Sequence, residues 1–163
     1  MSRRQMGWLM MGALIVAAAV QGARAQGDGD AARGIAGKAT AEGAAMFDLR
    51  DAKGLSMTYT DDARLEVYSR ESGGEGLKTE IRTGRADIQS YYENLFKSTI
   101  TIHARNTVEH ARLIEPGMLT ISGVFEPNTE SAEALKVPFI QVRTKQGESW
   151  KIVNLQLFIM PQK

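Results

Sequence analysis

The sequence predicts an α+β domain, and three observations carry that assignment. Apolar residues recur at helical spacing in the first half, long alternating segments fill the second half, and Gly- or Pro-containing turns separate them. The elements follow in chain order.

Met1 to Ala25 is expected to be a secretory signal. Arg3 and Arg4 precede an apolar run from Met6 to Val20, and "ARA" before Gln26 is a small-x-small cleavage site. The run of about 15 residues is shorter than the roughly 20 that span a bilayer. The paired arginines leave Sec and twin-arginine export both open. A periplasmic or secreted protein is expected, meeting the membrane only through this segment during export. Removing it takes away three arginines and no acid, so the mature chain turns from net +1 to slightly acidic. With no basic stripe, nucleic acid is not an expected partner. The chain has no cysteine, so an exported form must rely on its core and not on disulfides.

Gln26 to Gly34, "QGDGDAARG", reads as a flexible lead-in, and residues 35–163 as one domain. Ile35 to Leu49 has a helical pattern rich in small residues, with Ala39, Gly43, Met46 and Phe47 on one side. Asp51 to Thr58 gives a shorter helix. Asp61 and Asp62 fall where the chain turns into a strand through Leu65 and Val67. Ser69 to Gly76 is a hairpin loop, and Leu77 to Thr83 the returning strand. Arg85 to Lys97 is the clearest helix, because Ile88, Tyr91, Tyr92, Leu95 and Phe96 form one apolar face. Strands are expected at Thr99–Ile114, Met118–Glu126, Val137–Lys145 and Trp150–Met160, joined by turns at "EPG", "PNTESAEA" and "KQGES".

The last strand has apolar residues on both faces. Val153, Leu155, Leu157 and Ile159 make one face; Trp150, Ile152, Asn154, Gln156 and Phe158 make the other. A sheet with one wet side alternates cleanly. The second face is therefore expected to be covered by another copy in a homodimer, the alternative being a surface with scattered apolar groups.

"RDAKGLSMTYTDDARLE", "TGRADIQSYYENLF" and "SWKIVNLQLF" together resemble the nuclear transport factor 2-like superfamily, nearest its SnoaL-like and ketosteroid-isomerase-like branch. The resemblance covers roughly Ile35 to Phe158. It implies a cone-shaped fold, a curved antiparallel sheet packed on three helices around a pocket, and it specifies function poorly. In ketosteroid isomerases the proton-shuttling aspartate aligns with Val67, the oxyanion-binding tyrosine with Gly43, and the second oxyanion donor with Ile140. Tyr59 and Tyr92 match supporting tyrosines of such isomerases. The resemblance thus assigns Asp61 and Asp62 to the turn and implies no catalytic residue.

The same alignment gives the expected pocket lining: Tyr59, Leu65, Val67, Tyr91, Tyr92, Ile102, Asn106, Thr120, Ser122, Ile140, Val142, Leu155 and Leu157. His103 and His110 lie seven apart on one strand, pointing to opposite faces if it is regular, so no metal site is expected. Glu109 and His110 remain a candidate proton-transfer pair at the rim. No serine lies in a nucleophile elbow, and "SGGEG" lacks the residues of a phosphate loop. The expected function is binding of a small hydrophobic or amphipathic molecule without catalysis and without a cofactor. Two alternatives stand beside it. One is an isomerase, cyclase or dehydratase of the SnoaL-like kind; the other is a partner-binding module whose pocket is filled by Met57, Tyr91 and Phe96.

Overall fold

The computed structural model describes residues 29–70, 76–97, 102–129 and 135–161. The expected signal segment lies outside them. Among the described residues α1 spans 29–48, α2 Ala52–Met57 and α3 Arg85–Leu95. The strands are β1 Tyr59–Ser69, β2 Lys78–Thr83, β3 Ile102–Glu115, β4 Met118–Thr129, β5 Val137–Gln146 and β6 Ser149–Ile159. They form one sheet in the order β2-β1-β6-β5-β4-β3.

Helix α1 begins at residue 29, inside the stretch expected to be a flexible lead-in. Ala32, Ala36 and Thr40 are buried at four-residue spacing, and Gly43, Ala44 and Phe47 continue the same side. Small side chains over the first turns let the helix lie close to the sheet, which offsets the low helix propensity of its glycines. Asp51 caps α2 by accepting from the Gly54 amide at 2.8 Å, and Lys151 Nζ donates to the Met57 carbonyl at 2.6 Å, tying the far end of that helix to β6. In α3, Ile88 and Tyr92 are buried, and Asp87 in the first turn accepts from the Thr83 amide at 3.1 Å.

Four of the five strand pairings are antiparallel, while β1 and β6 run parallel. The sheet is therefore mixed. Strands β3 to β6 make a meander, and its last strand returns beside the first. Of the four register shifts among the described strands, three set which side chains face the helices. Between Tyr59 and Arg64 the β1–β6 register shifts, and this holds Asp61 and Asp62 in an exposed bulge. Arg85 joins α3 to that bulge: it pairs with Asp61 at 2.7 Å and donates to the Tyr59 carbonyl at 2.9 Å. The two aspartates thus belong to a hinge between helix and strand. A second shift lies between Val108 and His110, and a third on β6 opposite Val142 and Arg143.

The second shift corrects the reading of the histidines. With Glu109 as the extra residue, His110 pairs with Ser122 and stands exposed on the same outer face as His103. They remain seven residues apart, and no group of three potential metal ligands occurs among the described residues. Close packing at this crossing depends on Gly123. A Cβ there would lie 2.0 Å from the Thr107 carbonyl oxygen, so no other residue fits without moving β3.

The core lies between the helices and the inner sheet face. Leu65 and Ala63 from β1, Leu119 and Ile121 from β4, Phe139 from β5 and Ile88 from α3 are among its deeply buried members. No helix among the described residues is long and apolar enough to cross a membrane.

Candidate functional site

Beside this core the sheet and helices leave a cavity of about 410 Å³, within the size range of small-molecule sites. Helix α1 contributes Thr40, Gly43, Ala44 and Phe47 to one wall, and α3 contributes Tyr91, Tyr92 and Leu95. The floor is the inner sheet face: Asn106 of β3, Phe125 of β4, Phe139 of β5, and Ile152, Leu155, Leu157 and Ile159 of β6. Phe47 packs edge-on against both Phe96 and Phe125, with centroids 5.0 and 5.2 Å apart, closing one end.

Of the residues expected to line a pocket, Tyr59, Tyr91, Tyr92, Asn106, Leu155 and Leu157 face this cavity. The others lie elsewhere. Leu65 and Val67 point inward but are sealed in the core below it. Thr120 and Ser122 pair with Val142 and Ile140 on the opposite face of the sheet. The side chain of Ile102 lies outside the described residues. Ile140 is 42% exposed, so the position aligned with a second oxyanion donor is an outward one. Its neighbours Phe139 and Gln141 take the inward places.

Strand β5 has the phase opposite to the one the family alignment implies. Its inward residues are Val137, Phe139, Gln141 and Arg143, of which the last two are polar, whereas Ile140 and Val142 on the outward side are apolar. Phe139 was the signal available, because a bulky aromatic in mid-strand favours the buried face. Strand β6 shows the related effect of a bulge. Ile152 pairs with Arg143 but Asn154 with Val142, so Val153 is the extra residue. Ile152 therefore faces the cavity, and Trp150 faces a second cavity of about 490 Å³ against α1. Of the expected dimer face, Asn154, Gln156 and Phe158 stand outward, and Trp150 and Ile152 do not.

Three polar features enter the apolar walls. The hydroxyls of Tyr59 and Tyr92 are 2.8 Å apart and buried. Desolvation raises both phenol pKa values, so both stay protonated at neutral pH. One hydroxyl donates to the other, which leaves one O–H of the pair unspent. Asn106 donates from Nδ2 to the Thr40 carbonyl at 3.0 Å, fastening β3 to α1. Arg143 is only 4% exposed, donating from Nε to Gln141 Oε1 at 2.9 Å and from Nη1 to the Trp150 carbonyl at 3.0 Å. Burial pushes its pKa down to about 10, which leaves it a cation at neutral pH.

Glu66 is the acid beside Val67, the position that the resemblance aligns with a proton-shuttling aspartate. It lies on the outer sheet face, where Arg64, Tyr68, Asn154 and Gln156 engage its carboxylate. No carboxylate or imidazole occurs among the described residues that line the cavity.

No protein-family profile and no curated protein matches the chain in sequence. Solved structures match it in fold. A domain of unknown function with a cystatin-like fold from Nostoc punctiforme superposes with a TM-score of 0.64 at 14% identity, over 81% of this chain and 79% of that one. An NTF-2-like protein of unknown function from Shewanella oneidensis gives 0.60 at 11% identity, over 74% and 93% of the two chains. A ketosteroid isomerase-like protein from Erwinia carotovora atroseptica gives 0.59 at 12% identity, over 77% and 93%. The open mixed sheet, the three helices and these superpositions agree: the chain has the nuclear transport factor 2-like fold.

Proposed function

We propose that this protein is exported and binds a small hydrophobic or amphipathic molecule in the cavity between α1, α3 and the sheet, without transforming it. The observation that carries the proposal is the cavity itself, a preformed space of about 410 Å³ whose walls are apolar side chains with a few fixed polar groups. Such a lining favours burial of a ligand's apolar surface, worth about 25 cal/mol per Å². Proton transfer near neutral pH needs a group that titrates there. The tyrosine pair, with both values raised, and Asn106, already held by α1, serve better as fixed contacts. The filled-pocket alternative loses Met57, which is 47% exposed, and Phe96, which packs on Phe47 and Tyr92 at the cavity's end.

The test is a fluorescence titration with 1-aminoanthracene, an uncharged apolar probe. We expect saturable enhancement at one site per chain. A response that rises linearly without saturating would overturn the proposal.

We further propose that the protein is a homodimer that covers the outer sheet face. Tyr68 and Phe158 stack there with centroids 5.3 Å apart, and the exposed Ile140 lies on the same face.

A further inference from the structure

The polar groups of the cavity are mostly donors, and one of them is a buried cation. A guanidinium carries five N–H groups. The two hydrogen bonds of Arg143 use Nε and one hydrogen of Nη1, leaving three N–H groups without an acceptor among the described residues. Among the described residues no carboxylate forms an ion pair with Arg143; the acid that acts on it electrostatically is Glu42, on the side of the second cavity. The unspent O–H of the Tyr59–Tyr92 pair borders the same space, as does Gln141, whose Oε1 is turned to Arg143 and whose Nε2 is left to donate. A buried charge with no ion-pair partner in direct contact is costly, and replacing such a group with an apolar one is often neutral or stabilising. A fold that places one at the wall of an apolar cavity lacks only the anion.

Building on the binding role above, we infer that the ligand is a monocarboxylate with an apolar tail. Its head pairs with Arg143 and accepts from the tyrosine pair, and its tail lies against Phe125, Leu155, Leu157 and Ile159. A planar guanidinium matches a carboxylate in two parallel hydrogen bonds. One guanidinium offsets one charge, whereas a phosphate monoester carries nearly two at neutral pH and would leave charge buried. The lining therefore favours the singly charged carboxylate over a phosphate monoester.

Calorimetric titration of the purified protein with decanoate, decan-1-ol and decyl phosphate tests this. Decanoate is expected to bind at least about tenfold more tightly than the alcohol, the value of one charge-assisted hydrogen bond. Arg143→Met should erase that preference. Equal binding of decanoate and decan-1-ol by the unaltered protein would overturn the inference while the apolar-ligand reading stands. Tighter binding of decyl phosphate than of decanoate would overturn the choice of carboxylate. Binding of none of the three would overturn both readings. A preference for decanoate that survives Arg143→Met would remove Arg143 from the account. The comparison in the unaltered protein decides the headgroup question even if that variant fails to fold, and Arg143→Lys, which keeps the charge, should retain part of the preference.

Discussion

Glu66 on the outer sheet face illustrates how single residues set local electrostatics in this protein. Its carboxylate collects donors from Tyr68, Asn154 and Gln156 and pairs with Arg64 at 2.9 Å. These interactions hold its pKa below the ordinary value of 4.5, the hydrogen bond from Tyr68 contributing most. A carboxyl whose pKa is lowered by folding stabilises the native state fully above its unfolded value, and that contribution disappears as pH falls through the lowered one. Glu66→Gln should therefore lower the melting temperature at pH 7 but cost progressively less below pH 4.5. Thermal unfolding of both proteins between pH 7 and pH 3 checks this. A gap that stays constant across the range would show that the ionised carboxylate is not what stabilises this face. Arg143 is the opposite case, a buried charge whose desolvation works against the fold and whose retention the bound anion would explain.

At the scale of elements, legibility in the sequence followed the length and regularity of each pattern. Helix α3 is readable because Ile88, Tyr91, Tyr92, Leu95 and Phe96 repeat on one face, whereas only the family resemblance brings Tyr59 and Tyr92 together. The β5 and β6 faces are not readable in this way, because a strand's period of two leaves no margin for an exception. Gln141 and Arg143 put polar residues at inward positions of β5, so the strand's own pattern offers no check on the family alignment that implies Ile140 and Val142 as the buried set. Those polar groups are the ones that equip the cavity, and local rules are expected to fail at such sites. The bulges at Glu109 and Val153 carry no signature of their own, yet each turns the residues beyond it to the other face. Strict alternation therefore puts Trp150 and Ile152 outward and His103 and His110 on opposite sides, and the bulges reverse both. The helix α1 start was missed because Gly29 and Asp30 read as loop residues, while Ala32 and Ala36 take part in the buried stripe.

For the whole molecule, the two sheet faces have separate roles in this account: the inner one shapes the cavity and the outer one meets a second copy. Sedimentation velocity should give a dimer, and Phe158→Asp, which sets a charge in the Tyr68–Phe158 stack, should shift the protein toward monomer. A monomer at all concentrations of the unaltered protein would sink the assembly without touching the cavity. The cavity is the central claim, and Gly43 offers its most direct test. This residue lines the cavity from the middle of α1, and a Cβ placed on it meets nothing within 4 Å. Leucine there extends into the cavity and recovers most of the roughly 0.8–1 kcal/mol of helix propensity by which glycine trails alanine. The measurement is the melting temperature and 1-aminoanthracene affinity of Gly43→Leu beside those of the unaltered protein. The account predicts a higher melting temperature together with affinity weakened by about tenfold or more, equivalent to about 1.4 kcal/mol. An unchanged affinity in the stabilised variant would contradict it, because the probe would then be bound somewhere other than this cavity.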